Sequence, residues 1–183
     1  MKPYLIFIVL AISCTPKKMP DQVTTTQISN DFQDFVETLP IIRLPYEMYC
    51  EDCCGRLDYN YNDTRLQKYL PNGSSLIGVV FKNPHYIGIL VSYPSDMIIP
   101  AVVIYDVSGR KIDEKSFLTH WCGRDVDLDG RQHFIIHDDA TFSEIDTTYT
   151  FALDSTNAIF DTLKTEISRK DFKVDNSGKL QVK

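Results

Sequence analysis

Cys50, Cys53, Cys54 and Cys122 offer the sharpest chemical options in this sequence. An even set of cysteines outside the cytoplasm reads first as two disulfides. Neighbouring Cys53 and Cys54 are poorly placed to bridge each other, because the ring would strain the peptide between them. The expectation is therefore that one of them bonds to Cys122 and ties an N-terminal segment to a sheet. Closing such a loop of about seventy residues contributes roughly 4 kcal/mol, less any strain. Two other chemistries compete. Cys50-Glu51-Asp52-Cys53 has redox C-x-x-C spacing, but its acidic middle would raise a thiol pKa instead of lowering it. The four cysteines together with His120 could also hold zinc. His120 and Cys122, two residues apart, would then share one strand face about 7 Å apart.

The run Asp125-Val126-Asp127-Leu128-Asp129-Gly130 has the alternating carboxylates and the glycine of calcium loops. An EF-hand would need a bidentate Glu at loop position twelve, where this chain has Ile136. What remains is an irregular calcium site on Asp125, Asp127 and Asp129, set against the blander expectation of an acidic, solvated turn. His133 and His137 would stack on a helix, but four residues of strand span ~13 Å, too far for one ion. They are expected to face solvent, opposite Phe134 and Ile136. No G-x-S-x-G, phosphate loop or H-E-x-x-H occurs. Carboxylates such as Asp138, Asp139, Glu144 and Asp146 could pair as in a glycosidase, as could those of any acidic surface. No residue is assigned a catalytic role.

The first residues give an address. Lys2 precedes an apolar run, Tyr4 to Ile12, which ends at Ser13-Cys14. This is the pattern of a secretory signal, about ten apolar residues against the ~20 that span a bilayer. Ala11-Ile12-Ser13-Cys14 resembles the lipobox of bacterial lipoproteins. The resemblance implies a signal peptide over residues 1–13, a lipid on Cys14 and a membrane partner through that anchor. Several acyl chains make such an anchor stable. Thr15 and Pro16-Lys17-Lys18 follow without an acidic run, which by the same resemblance points to the outer membrane, facing the periplasm. The wider chain is similar to small envelope lipoproteins of the Bacteroidota. The cues are Phe32-x-x-Phe35, Leu44-Pro45-Tyr46, the Asp106-x-x-Gly109 hairpin and a short strand before Asp138-Asp139. That likeness implies no activity. Asp146-Thr147-Thr148, Asp154-Ser155-Thr156 and Asp161-Thr162-Leu163 resemble the O-glycosylation site of exported proteins of that group.

The elements that must position these residues follow from pattern. Residues 14–29, the lipidated cysteine and a polar stretch, form a tether; residues 30–183 form one β-rich domain. Phe32, Phe35, Val36 and Leu39 mark a short helix stopped by Pro40, and a second is expected from Arg65 to Leu70. Irregular chain is expected from Pro45 to about Asn60. Strands are expected over 76–81, 86–93, 98–106, 111–121, 133–136 and 148–153, then around Phe172–Val174 and Leu180–Val182. The fold class is mainly β: an antiparallel meander forming a sandwich or partly open barrel, with one or two short N-terminal helices. Its middle strands are apolar on both faces and need cover from a second sheet or from the helices.

With a net charge of −6 and scattered basic residues, the chain lacks the electrostatic footprint of a nucleic-acid binder. The expected function is that of a lipid-anchored envelope protein, non-enzymatic, with a binding or structural role and no cofactor beyond the calcium option. Ten tyrosines and ten phenylalanines make an exposed aromatic patch, and hence an envelope protein or glycan partner, the natural expectation. The alternatives are an envelope hydrolase using paired carboxylates, or a metal or thiol site at the cysteine cluster.

Overall fold

The computed structural model describes residues 31–50, 64–95, 97 and 99–183. The signal segment, Cys14, the tether, Cys53 and Cys54 lie outside the described residues.

Helices α1 (Asp31–Glu37) and α2 (Thr64–Tyr69) are two turns or fewer, too short to persist alone in water. Each is held by its apolar face. Phe32, Phe35 and Val36 of α1 and Leu66 of α2 are buried against one side of a four-stranded meander. Its strands are β2 (Ser75–Lys82), β3 (Tyr86–Tyr93), β4 (Ile99–Asp106) and β5 (Lys111–Ser116), in sequential order. Val79, Ile89, Val103 and Tyr105 meet the helices. The Tyr105 hydroxyl donates to the Tyr69 carbonyl at 2.5 Å, pinning the end of α2 to β4.

Val80, Leu90, Val102 and Ile104 line the other side of this sheet and pack on Met48, Phe134, Ile136, Phe142 and Phe172 of a second one. That second sheet is six-stranded, in the order β1 (Tyr46–Tyr49), β7 (Leu128–Ile136), β8 (Phe142–Leu153), β9 (Ile159–Val174), β10 (Leu180–Val182), with β6 (Gly123–Arg124) also beside β7. All strand pairs are antiparallel, and the sheets do not close into a barrel. The architecture is a sandwich with helices on its outer side. Strands β3 and β4 are apolar at consecutive positions because one face meets the helices and the other meets the second sheet. Both candidate covers are therefore used, one per face. No described helix is long and apolar enough to cross a membrane.

Several elements depart from the pattern-based expectation. Strand β8 begins at Phe142, six residues before the expected 148, and β9 begins at Ile159, well before the expected Phe172–Val174. Tyr46–Tyr49, expected to be irregular, pairs with His133–Ile136 and sends Met48 into the core. The strand beginning at Lys111 stops at Ser116, five residues early. Phe117 and Leu118 turn inward there; Leu118 has φ 55° and its N–H donates to the buried Glu144 carboxylate at 3.0 Å. Strand β7 starts at Leu128 instead of His133, so half of the acidic run is sheet and not turn.

Four tight connections share one geometry: Asp106–Arg110, His137–Thr141, Asp154–Ala158 and Asp175–Lys179. In each, the first N–H donates to the fifth carbonyl and the fourth N–H to the first carbonyl. The fourth residue is left-handed: Gly109 (φ 91°), Ala140 (56°), Asn157 (62°) and Gly178 (81°). This is the three-residue hairpin loop with a following bulge. Asp106, Asp154 and Asp175 each accept two further backbone N–H groups and one hydroxyl inside their loops. The Ser108 hydroxyl and the other donors hold the Asp106 carboxyl down at about 2.

Candidate functional site

Since Met48, Phe134, Ile136 and Phe142 point into the sandwich, strand alternation puts Glu47, Tyr49, Arg131, His133, Ile145, Thr147 and Tyr149 on the outer face of the larger sheet. Register brings them together: Tyr49 lies opposite His133, His133 opposite Ile145, Arg131 opposite Thr147, and Asp129 opposite Tyr149. Six of these side chains, with Cys50 and Gln132, line a cavity of about 430 Å³.

Its walls are aromatic and its charges are compensated. The Tyr49 and His133 rings stack at 4.1 Å with 11° between their planes. Glu47 Oε2 lies 3.2 Å from His133 Nε2 and accepts from the Tyr49 hydroxyl at 3.2 Å. The Arg131 guanidinium sits over the Tyr149 ring at 5.4 Å and donates to Asp129 at 2.9 and 3.2 Å. Tyr149 in turn stacks with Phe151, which Arg124 covers at 5.3 Å.

A disulfide closes one side of this site, and it corrects the expected pairing. Cys122 is joined to Cys50, not to Cys53 or Cys54, with a Cα separation of 6.1 Å across 72 residues. The reason is β1: its register carries the next residue alongside Gln132, where the Cys50 N–H donates to the Gln132 carbonyl at 3.0 Å. The Gln132 N–H approaches Cys50 Sγ at 3.1 Å. Bridging removes Cys50 and Cys122 as zinc thiolates and takes Cys50 away from a Cys50–Cys53 redox pair. His120 lies in irregular chain, not on a strand with Cys122. Its Nδ1 is 3.0 Å from Asp146.

The structure does not bring Asp125, Asp127 and Asp129 together as one set of ligands. The Asp125 N–H donates to the Leu128 carbonyl at 2.8 Å, closing a tight hairpin. Asp129, on β7, is buried and turned toward Arg131. Asp125 and Asp127 stay exposed. Among the described residues no three His, Cys, Asp or Glu side chains are placed to hold a metal ion. Asp129 instead positions Arg131 over Tyr149.

His133 and His137 lie on opposite sides of Ile135 along the outer face, as the strand reading requires, but both are half-buried in contacts and not simply solvated. His137 belongs to a grouping that resembles a hydrolase triad and is wired differently. Its Nε2 is 2.7 Å from Ser143 Oγ. The same hydroxyl contacts Asp171 Oδ1 at 2.6 Å, and Arg169 donates to it at 3.0 Å. A contact that short between a hydroxyl and a carboxylate needs the hydroxyl proton between them. Ser143 thus donates to Asp171, its lone pairs face Arg169 and His137, and it has no exposed surface. A serine nucleophile needs its proton on the histidine, with the acid behind that ring. The bonds from Ser143 and Arg169 keep the Asp171 carboxyl below its ordinary value.

Of the other carboxylates considered for hydrolysis, Asp138 stays exposed, and the remaining three are in structural use. Glu144 receives Leu118, Asp146 receives Gln132 Nε2 at 2.6 Å, and Asp139 receives the Thr141 N–H and hydroxyl. Of the glycosylation-like triplets, Asp154-Ser155-Thr156 forms an exposed hairpin loop, Thr147 lines the cavity, and Thr162 is exposed on β9.

Comparison with protein-family models, with curated proteins and with solved structures finds no match. The site rests on its own geometry. Sequence reasoning missed Tyr49, Arg131 and the outward role of Tyr149. The alternation of Tyr149 and Phe151 was legible; which side of the sheet it faced was not.

Proposed function

We propose that this chain is a lipid-anchored envelope protein that binds a glycan in the Tyr49–His133–Arg131–Tyr149 cavity and performs no chemistry on it. The observation that carries the reading is the cavity itself, which combines aromatic rings with hydrogen-bonding side chains while setting each basic group against a carboxylate. A ligand with both apolar ring faces and neutral hydroxyls suits such a lining, whereas an anionic ligand would have to displace Asp129 or Glu47. The Cys50–Cys122 disulfide supports export to an oxidising compartment. The secretory pattern ending at Cys14 supports the anchor, with the outer membrane, periplasmic side, as the proposed location.

Calorimetric titration with neutral and uronic-acid-containing oligosaccharides of equal length tests the binding. Neutral chains should bind, and Tyr149→Ala should weaken them by about tenfold, the loss of one stacked platform. No binding by either class rejects the site. The anchor is tested separately by labelled fatty acid, which should enter the parent chain and not Cys14→Ser.

A further inference from the structure

Strand β9 runs sixteen residues, but its far side is covered for only three of them, Phe172–Val174, by β10. From Asp161 to Lys170 every residue is exposed, and among the described residues nothing pairs with that edge. The Asp171 carbonyl accepts the Lys183 N–H on this side. Alternation therefore turns the N–H and C=O of Arg169, Ile167 and Thr165 toward the same open edge. An unguarded edge of this length is a template for another strand.

The side chains along the edge are complementary to themselves. Leu163 and Ile167 are 66% and 69% exposed, and Lys164 and Glu166 lie between them around Thr165. Set antiparallel to a second copy with Thr165 on the two-fold axis, Leu163 meets Ile167, Lys164 meets Glu166, and Thr165 meets itself. Moving the axis one residue either way sets Lys164 against Lys164 or Glu166 against Glu166, and like charges directly opposite are unfavourable. Thr165 is also the midpoint of the open stretch between Ile159, where β9 begins, and Asp171, where β10 takes over.

We propose that two copies of this chain pair edge to edge through β9, antiparallel, with the two-fold axis at Thr165, joining their larger sheets into one. A two-fold perpendicular to the sheet keeps outer faces together, so both cavities open on the same side of the joined sheet.

The test uses the full chain in mild detergent. Sedimentation should show a dimer, and Glu166→Lys should raise its dissociation constant at least about tenfold, because each opposite-charge pair becomes a like-charge pair. The swap Lys164→Glu with Glu166→Lys should restore it, which a misfolded variant could not do. Under mild oxidation Thr165→Cys should cross-link two copies, since opposed hydrogen-bonded residues lie ~5.5 Å apart, within disulfide range. Ile167→Cys, whose symmetry mate lies ~13 Å away along the strand, should cross-link no more than the unsubstituted chain, which carries the same other cysteines. A monomer throughout, a dimer indifferent to the charge changes, or equal cross-linking at both positions overturns the proposal.

Discussion

The hydroxyl of Ser143 gives its proton to Asp171 and not to His137, 2.6 Å against 2.7 Å, because only the carboxylate cannot supply a hydrogen of its own. Ser143 should therefore be inert to fluorophosphonate probes in the folded chain. Asp171→Ala should lower stability by about 1 kcal/mol, through the buried hydroxyl that loses its acceptor. Labelling followed by intact-mass measurement, and urea denaturation of the variant, check the two outcomes. A labelled Ser143 would return the hydrolase to consideration.

Acid should loosen the molecule in a defined window. The carboxyls of Asp106, Asp139, Asp154, Asp171 and Asp175 are all held below the ordinary 3.8 by hydrogen bonds, and Asp106 reaches about 2. A depressed folded-state pKa stabilises above the unfolded value and ceases to do so as pH falls through the folded one. The urea midpoint should be flat in these groups above pH ~5 and decline from pH ~4 toward ~2. Asp106→Asn should show a shallower decline. Because the groups are largely exposed, added salt should blunt the effect.

Phe32 and Gly109 give a packing test. A methyl group on Gly109 would lie 2.6 Å from the Phe32 ring, and its φ of 91° already disfavours a side chain. Gly109→Ala should cost about 2 kcal/mol or more, backbone strain and overpacking together. Gly73→Ala, with φ 77° and open space around the new methyl, should cost only about 1 kcal/mol. Thermal denaturation of the two variants separates the contributions.

The opposite change should help at Ala140. Its φ of 56° is a glycine conformation occupied by alanine. Ala140→Gly should stabilise by up to about 1 kcal/mol, in melting temperature as in urea.

Breaking the disulfide should cost about 2–5 kcal/mol and loosen the ligand cavity, since Tyr49 precedes Cys50 directly. Cys122→Ser should lose stability and, on the proposed reading of the cavity, glycan affinity with it. The parent chain should show both losses on reduction and recover on reoxidation.

Strands β2 to β4 were legible because continuous apolar runs bounded by Pro, Asn and Gly leave little choice, and the helix over Asp31–Glu37 announced itself by Phe32, Phe35 and Val36. Strand β1 was not. Four residues beside Pro45, two of them exposed, carry no usable period, and only the ladder with His133–Ile136 makes them a strand. The start of β7 was masked by its aspartates, whose density reads as a turn until Arg131 is seen to neutralise Asp129. The polar length of β9 gave no core signal, because from Asp161 to Lys170 it has no core beside it. Cysteine pairing failed for a related reason. Spacing ranks partners along the chain, whereas the bond is decided by where β1 ends in space. The site was the least readable part, since its walls come from β1, β7 and β8, and no local motif spans them.

The position of the Cys50–Cys122 link gives the domain a mechanical shortcut. Traction from the N-terminal side would strip α1, then the short Pro40–Ile42 stretch that bonds to Val79, then reach β1. Past β1 the load crosses the covalent sulfur bridge to the chain just before β6, so traction from that end bypasses β2 to β5, which lie inside the loop the bridge closes.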